Sequence, residues 1–313
     1  MNEAADALGA LLRYLDDIGY HFVTPTPATH ARVLARDPAR AGKSPQEVLG
    51  WSLPFASGGI DPAIEALLAE SGVVEPAPGG LVRSTVRVST VAERLFLHSA
   101  YPTTAADSVF LGPDTYRFVQ LIRGELQSSP PSPDGTIVDI GTGSGAGAVV
   151  AADLCPAARI AMTDLNSRAL ELAAINARHA GHTIGALEGR NLAGLEGEVE
   201  VALANPPYVI DPAGRTYRHG GDMHGAEISV EIAKAALDTL RPGGRLILYT
   251  GSAIVAGEDR LRRALEETAN SAGTALRYWE IDPDVFGEEL ENAEYRDVDR
   301  IAVVAAIFSV PRS

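Results

Sequence analysis

The stretch Thr136-Ile137-Val138-Asp139-Ile140-Gly141-Thr142-Gly143-Ser144-Gly145 decides the fold of this chain. Its first half is apolar and predicts a short buried strand, and the small apolar residues from Ala146 to Leu154 predict a helix after it. Glycines let the backbone turn tightly and leave room for a ligand, while a helix N-terminus presents unpaired N–H groups. A strand, a glycine turn and a helix in this order predict the first unit of a cofactor-binding α/β fold.

A second strand and an acidic residue follow at the distance that such a fold requires. Arg159 to Thr163 predicts the strand, and Asp164 ends it about where the dinucleotide fingerprint has its ribose-binding acid. A carboxylate there can accept hydrogen bonds from both ribose hydroxyls. The structural alternative is that Asp164 only caps the helix predicted from Ser167 to Ala180. Gly185 to Gly189 predicts a third short strand, which Asn191 follows.

A proline-stiffened turn follows the next strand. Val199 to Ala204 predicts a buried strand, whose apolar residues from Ala202 lead straight into Asn205-Pro206-Pro207-Tyr208. The two prolines fix successive φ angles and push the residue before each of them into extended geometry, so the side chains of Asn205 and Tyr208 have little freedom. Such stiffness suits a loop that orients a substrate, although it also occurs in loops with no catalytic role.

The strands and helices combine into one sheet. A helix is predicted for residues 227–240, a strand for 245–250, a helix for 259–271, and strands for 274–281 and 301–310. We expect an α/β fold with a Rossmann-like mixed sheet of seven strands, the last of them antiparallel. Ligands bind beyond the carboxyl ends of parallel strands, so Asp139, Asp164, Asn191 and Asn205 should converge there. Residues 282–300 predict a long connection that faces solvent.

The N-terminal part predicts a smaller helical domain that resembles a winged helix. Helices are expected at residues 4–18, 27–36, from Ser44 and from Asp61, before a hairpin with strands at 73–74 and 81–89. Residues 1–95 hold eight Lys/Arg and eleven Asp/Glu, a net charge of −3, which offers no phosphate footprint. We expect an accessory domain over 1–95, a linker and helix over 96–135, and the cofactor domain over 136–313.

Composition describes an ordinary globular protein. Of the 313 residues, 46% are apolar and 21% are charged, and no stretch offers the ~18 consecutive apolar residues of a membrane span. Residues 1–6 are acidic and do not resemble a secretory signal, and Cys155 is the single cysteine, so we expect a cytoplasmic protein with no membrane contact. The net charge of −15 makes nucleic acid a less favoured partner.

Taken together, these motifs resemble class I S-adenosylmethionine-dependent methyltransferases, over residues 109 to about 310. Asn-Pro-Pro-Tyr at 205–208 resembles the members that methylate a planar amino nitrogen. The segment from Val109 to Thr115 is similar to the one that precedes the domain in the HemK/PrmC protein-glutamine methyltransferases, although Leu111 and Gly112 stand where that family usually has a proline and an arginine. The resemblance implies S-adenosylmethionine as cofactor and a protein substrate, such as a peptide-chain release factor.

The resemblance also implies roles for individual residues. The catalytic ones are Asn205, Pro206 and Tyr208. The cofactor-binding ones are Asp139, Gly141, Thr142, Gly143, Gly145, Asp164, Leu165, Asn191 and Asn205. An amide nitrogen is a poor nucleophile, so we expect the Asn205 side-chain oxygen and the Pro206 carbonyl to accept its N–H bonds while Tyr208 packs on the planar group.

Two alternatives to a protein glutamine methyltransferase stay open. One is an N-methyltransferase that acts on an exocyclic amine of a nucleic acid or on a small molecule. The other is a cofactor-binding regulator or an NAD-type oxidoreductase, which the Gly-x-Gly-x-Gly spacing disfavours. Tyr217 to His224 holds two histidines and an aspartate, but this spacing is a poor metal signature, so we expect no metal and interpret the segment as a substrate lid. The acidic, aromatic residues 286–290 and Tyr295 lie close to the predicted substrate entrance.

Overall fold

A computed structural model of the chain describes residues 3–189, 192, 198–211 and 218–312. The N-terminal part of this structure contains helices and two hairpins. Their bounds are α1 Glu3–Asp17, α2 Pro27–Leu34, α3 Pro62–Glu70, β1 Val74–Ala77, β2 Leu81–Ser84, β3 Val86–Val91 and β4 Arg94–Ser99.

The predicted starts of the helices after Thr26 and Asp61 are confirmed. The Thr26 hydroxyl accepts from the Thr29 N–H at 3.1 Å, and Asp61 accepts from the Ala63 N–H at 2.8 Å. The segment after Ser44 forms only one π-helical turn, Gln46–Gly50, although the expected capping box with Glu47 is present.

The second hairpin was not predicted. Val86 pairs with Ser99 and Val91 with Arg94, so β3 and β4 cross the domain boundary expected at residue 95. The turn between them uses Ala92 and Glu93, both at positive φ, and neither residue type signals such a turn in a sequence. The domain limits stay a prediction.

The C-terminal part is built on one large sheet. Its elements are α4 Pro113–Ser128, β5 Thr136–Ile140, α5 Ala146–Leu154, β6 Arg159–Asp164, α6 Ser167–His179, β7 Gly185–Glu188, β8 Val199–Ala204, α7 Asp222–Gly225, α8 Glu227–Leu237, β9 Leu240–Val255, β10 Glu258–Asp259, α9 Arg260–Ser271, β11 Ala275–Asp282 and β12 Arg300–Ser309. The strand order is β11-β12-β9-β8-β5-β6-β7, and β10 pairs with the end of β9. The five neighbouring strands β9, β8, β5, β6 and β7 are parallel, and β12 is antiparallel to β9. The predicted mixed sheet of seven strands with an antiparallel last strand is therefore confirmed.

The N-terminal part shares its core with helix α6. Apolar side chains of α1, including Leu8 and Leu11, lie in one buried cluster with Leu172 and Ile175 of α6. The fully buried Asn176 of α6 links three segments. Its side chain accepts from the Leu97 N–H at 2.8 Å, and its amide group donates to the Leu97 carbonyl at 3.0 Å and the Ser144 carbonyl at 2.9 Å. Burial of paired polar groups at this point ties β4 and the glycine turn to α6.

The connection between β11 and β12 corrects one expectation. Residues 282–300 were expected to face solvent, but Tyr295 is 1% exposed and its hydroxyl accepts from the Ile210 N–H at 2.7 Å. Two short 3₁₀ turns, Gly287–Glu291 and Ala293–Tyr295, fold this connection back onto the segment after β8. A buried tyrosine needs a hydrogen-bond partner, and the backbone of that segment supplies it. Among the described residues, no helix is long and apolar enough to cross a membrane.

Candidate active site

A cavity of about 460 Å³ lies at the carboxyl ends of β5, β6 and β8. Most of the predicted site residues line it. They are Gly141, Thr142, Gly143, Asp164, Leu165, Asn205, Pro206 and Tyr208. Gly145 lies behind the loop, where its backbone contacts Ala173 of α6 closely. Asn191 is outside the described residues. Of the residues expected to converge at the strand ends, Asp164 and Asn205 line the cavity, whereas Asp139 does not.

The glycine loop is held in a form that keeps its outer side open. Gly141 has a φ of +66° and Gly143 a φ of +55°, which side chains with a Cβ rarely adopt. A Cβ built on either glycine would meet no atom within 4 Å, so protein packing leaves the space above the loop free. The Thr142 N–H donates to the Thr163 carbonyl at 2.9 Å and fixes the loop to β6.

Asp139 supports this loop from below and is only 1% exposed. Its carboxylate accepts from the Thr142 hydroxyl at 2.6 Å and from the Ala148 N–H at 3.0 Å. Burial raises the pKa of Asp139 to about 7, against the lowering effect of these two hydrogen bonds. Its position makes Asp139 a residue that shapes the loop, rather than one on the cavity wall as expected.

Asp164 stands on the cavity wall at the end of β6. One carboxylate oxygen accepts from the Gly143 N–H at 2.9 Å and the other from the Asn166 N–H at 2.9 Å. Asn166, and not Asp164, caps α6, since its side chain accepts from the Arg168 N–H. Burial raises the pKa of Asp164. A carboxylate has about four acceptor sites, so capacity for two further donors remains.

The turn after β8 presents polar groups without a protein partner. Among the described residues, no side chain or backbone group forms a hydrogen bond with the Asn205 side chain, which lies on the cavity wall. The Tyr208 ring is buried and contacts Phe286 edge-on, with 5.8 Å between the ring centroids. The Tyr208 hydroxyl is buried and has no well-formed hydrogen bond within the described part of the chain. Such groups are rare in folded proteins and call for an explanation.

Sequence reasoning missed several residues of this site. Asp114, in the first turn of α4, and Phe110 and Phe118 line the cavity beside Tyr208. Asp114 is 7% exposed and accepts from the Tyr249 hydroxyl at 3.1 Å. Pro113-Asp114-Thr115 is typical of a helix start. Because this pattern already explains an aspartate, the sequence gives no sign that the Asp114 side chain lines the cavity.

The segment interpreted as a lid lies against the Asn-Pro-Pro-Tyr turn. Tyr217 is outside the described residues, while His219 forms a β-bridge with Val209 and the Gly220 N–H donates to the Val209 carbonyl at 2.9 Å. Arg218 lines the cavity and forms an ion pair with the buried Glu289. These contacts join the segment to residues 287–291, but its role as a lid stays a prediction. In the described ranges, no group of three or more His, Cys, Asp or Glu side chains forms a metal site.

Comparison with known proteins places this geometry among methyltransferases. Residues 120–276 match the model of the methyltransferase small domain family. The chain is 32% identical over 157 residues to a release factor glutamine methyltransferase of Deinococcus radiodurans, with 49% of this chain and 55% of the relative covered. It is 32% identical over 215 residues to a release factor glutamine methyltransferase of Cereibacter sphaeroides, with 64% of this chain and 70% of the relative covered.

These matches span 55% and 70% of the relatives' own lengths. The crystal structure of a putative transferase of Pyrococcus horikoshii has a TM-score of 0.50 and 13% identity, with 92% of this chain and all of that chain covered. At this identity the likeness concerns the fold alone.

Proposed function

Since the chain belongs to the HemK/PrmC family of class I S-adenosylmethionine-dependent methyltransferases, we propose that it methylates a glutamine side-chain amide in a peptide-chain release factor. The open Asn205 side chain, on the same cavity wall as the glycine loop, is the observation that carries the proposal. An amide group fits there because it offers two N–H donors, and the Asn205 side chain has no hydrogen-bond partner among the described residues.

The cofactor is S-adenosylmethionine, which supplies an electrophilic methyl group when it is bound. The described residues fit it. The loop of Gly141 and Gly143 would hold the amino-acid part, because its outer side is free of protein atoms. Asp164 would bind the ribose hydroxyls with its remaining acceptor sites, and Leu165, 41% exposed on the cavity wall, would contact the base. Thr142, Gly145 and Asp139 would hold the loop in shape.

The Asn-Pro-Pro-Tyr turn would orient the acceptor. The Asn205 side-chain oxygen and the Pro206 carbonyl would accept the two amide N–H bonds and so direct the nitrogen lone pair toward the cofactor side of the cavity. Tyr208 would pack on the planar amide. No strong base is needed, because the amide proton becomes acidic once the nitrogen is alkylated. Preorganised acceptors of this kind act without reorganisation during the reaction.

A methylation assay with purified release factor and labelled S-adenosylmethionine tests the proposal. We expect label on one glutamine amide, located by mass spectrometry. Asn205→Ala should lower turnover about 10²-fold and leave cofactor affinity unchanged. Asn270→Ala, which removes an exposed asparagine of α9, is the matched control and should retain full activity. Near-normal turnover of Asn205→Ala would show that the Asn-Pro-Pro-Tyr turn has only a structural role. Label in RNA instead of protein would contradict the assignment of glutamine as the acceptor.

The proposal entails a cytoplasmic location, because release factors act where translation ends. The single cysteine, Cys155, agrees with a reducing compartment. Fractionation of cells that express the tagged chain, followed by immunoblotting, tests the location, and recovery outside the cytoplasm would contradict the release-factor proposal.

A further inference from the structure

Asp114 occupies a place in the site that helix capping does not explain. Pro113 is the first residue of α4, and the Gly112 N–H donates to the Thr115 hydroxyl at 3.4 Å, so the helix start is satisfied without the Asp114 carboxylate. That carboxylate is buried and lies on the cavity wall. A buried carboxylate at a helix start that does not need it points to another role.

The charge of Asp114 is only partly compensated. The Tyr249 hydroxyl of β9 donates to it at 3.1 Å, and the Arg117 guanidinium lies 3.9 Å away. Arg117 is engaged more closely with Asp282, at 2.8 Å. Burial raises the pKa of Asp114. The carboxylate therefore retains acceptor capacity on the side of the cavity.

Tyr208 is the neighbour that lacks a partner. Among the described residues its buried hydroxyl has no well-formed hydrogen bond, and the Asp114 charge contributes, after burial, to raising the pKa of that hydroxyl. A phenol without a partner beside an under-compensated carboxylate can form a charge-assisted hydrogen bond with it. Hydrogen bonds in active sites are often long in the free enzyme and shorten when the substrate is bound.

We propose that Asp114 is a positioning residue that fixes the Tyr208 ring against the acceptor through a hydrogen bond formed in the loaded site. The inference rests on the proposed function, because the Tyr208 ring matters only if a planar acceptor packs on it. Asp114 takes no proton from the acceptor and forms no bond to the cofactor. Its effect is confined to the angle at which the Tyr208 ring stands.

A double-mutant cycle tests the coupling. Asp114→Leu removes the acceptor, and it should lower kcat about tenfold, as should Tyr208→Phe. The double variant should be no slower than Asp114→Leu alone, because both changes remove one interaction. Asp114→Asn keeps an acceptor oxygen and should recover most of the activity. KM for the release factor and cofactor affinity should stay within about twofold of wild type.

Two controls separate positioning from general damage. Asp282→Asn alters the same ionic network without touching Tyr208 and should keep kcat within about twofold. Tyr249→Phe removes the other donor to Asp114 and should behave likewise. If Asp114→Leu does not fold, the cycle of Asp114→Ala with Tyr208→Phe replaces it and must show the same loss of additivity. Additive losses in the cycle, or Asp282→Asn as slow as Asp114→Leu, would overturn the inference.

A second measurement keeps the inference independent of the acceptor. In protein labelled with ¹³C-tyrosine and saturated with S-adenosylhomocysteine, the signal of the Tyr208 ring carbon that bears the hydroxyl should move in Asp114→Asn and stay in place in Asp282→Asn. An unchanged signal in Asp114→Asn would show that the two side chains do not meet and would refute the inference. A wild-type protein that methylates no glutamine would instead refute the proposed function, while the carbon signal still decides the contact.

Discussion

The substitution Gly251→Ala should displace the Tyr208 ring without touching the acceptor or the cofactor. Gly251 lies in β9, opposite Val303 of β12, with ordinary strand geometry. A Cβ at this position would stand 2.2 Å from Cδ2 and 2.7 Å from Cε2 of Tyr208. Carbon atoms pack at about 3.5 Å or more, so the ring must retreat by at least ~1.3 Å toward the cavity.

This displacement sets the size of the effect. Overpacking of a buried site costs about 1–3 kcal/mol in the free energy of unfolding. A misplacement of ~1 Å in an active site can lower turnover about 10²-fold, so kcat should fall by that order while cofactor affinity is retained. Single-turnover methylation of release factor, urea unfolding and calorimetry with S-adenosylmethionine measure the three quantities.

A second glycine provides the control. Gly124 lies in α4, and a Cβ built on it meets no atom within 4 Å. Gly124→Ala should leave turnover unchanged and stabilise the protein by about 0.5–1 kcal/mol, because glycine is a poor helix former. Full turnover of a Gly251→Ala protein that is as stable as wild type would refute the reasoning that the ring position matters.

Three further predictions concern the cofactor loop, the pH dependence and nucleic acid. Asp164→Ala should weaken cofactor binding by about 1–3 kcal/mol, because the hydroxyls of the ligand lose their acceptors, and equal affinities in calorimetry would contradict the ribose role. Burial raises the pKa of Asp139 to about 7, well above the usual range of an aspartate, so the folded state binds a proton that the unfolded state has lost, and this residue destabilises the protein progressively as pH rises toward 7. The stability of wild type relative to Asp139→Asn should therefore fall from about pH 4 to about pH 7 in urea titrations, and a constant difference would show that Asp139 does not titrate there. The full chain should show no salt-dependent binding to duplex DNA in fluorescence anisotropy, because its net charge is −15; tight binding that weakens with salt would favour a nucleic-acid acceptor.

Local patterns were sufficient for the sheet and for the motifs along its edge. β5 and β8 are buried along their whole length, so their sequences are mostly apolar, and each is followed by a distinctive motif. Parallel strands then bring Asp164 and Asn205 to one edge by topology alone.

Contacts between distant segments could not be predicted in this way. Asp114 and Tyr249 are 135 positions apart, and neither has a neighbour in sequence that reveals their hydrogen bond. The β3–β4 turn uses Ala92 and Glu93 at positive φ, which tertiary packing imposes against local preference. Asn176 lies in mid-helix, where its sequence context gives no sign that it pairs with β4 and the glycine loop.

The hydrogen bonds of Asn176 bear on how the chain folds during synthesis. Leu97 and Asn176 are 79 positions apart, so at about 5–20 residues per second the ribosome needs about 4–16 s to complete the pair. During this interval α1 can already pack on Ile64 and Leu68 of α3, but Leu172 and Ile175 of α6, which complete the same buried cluster, have not yet been made. The core of the nascent N-terminal part therefore stays incomplete until the second strand of the large sheet and the helix after it have left the exit tunnel.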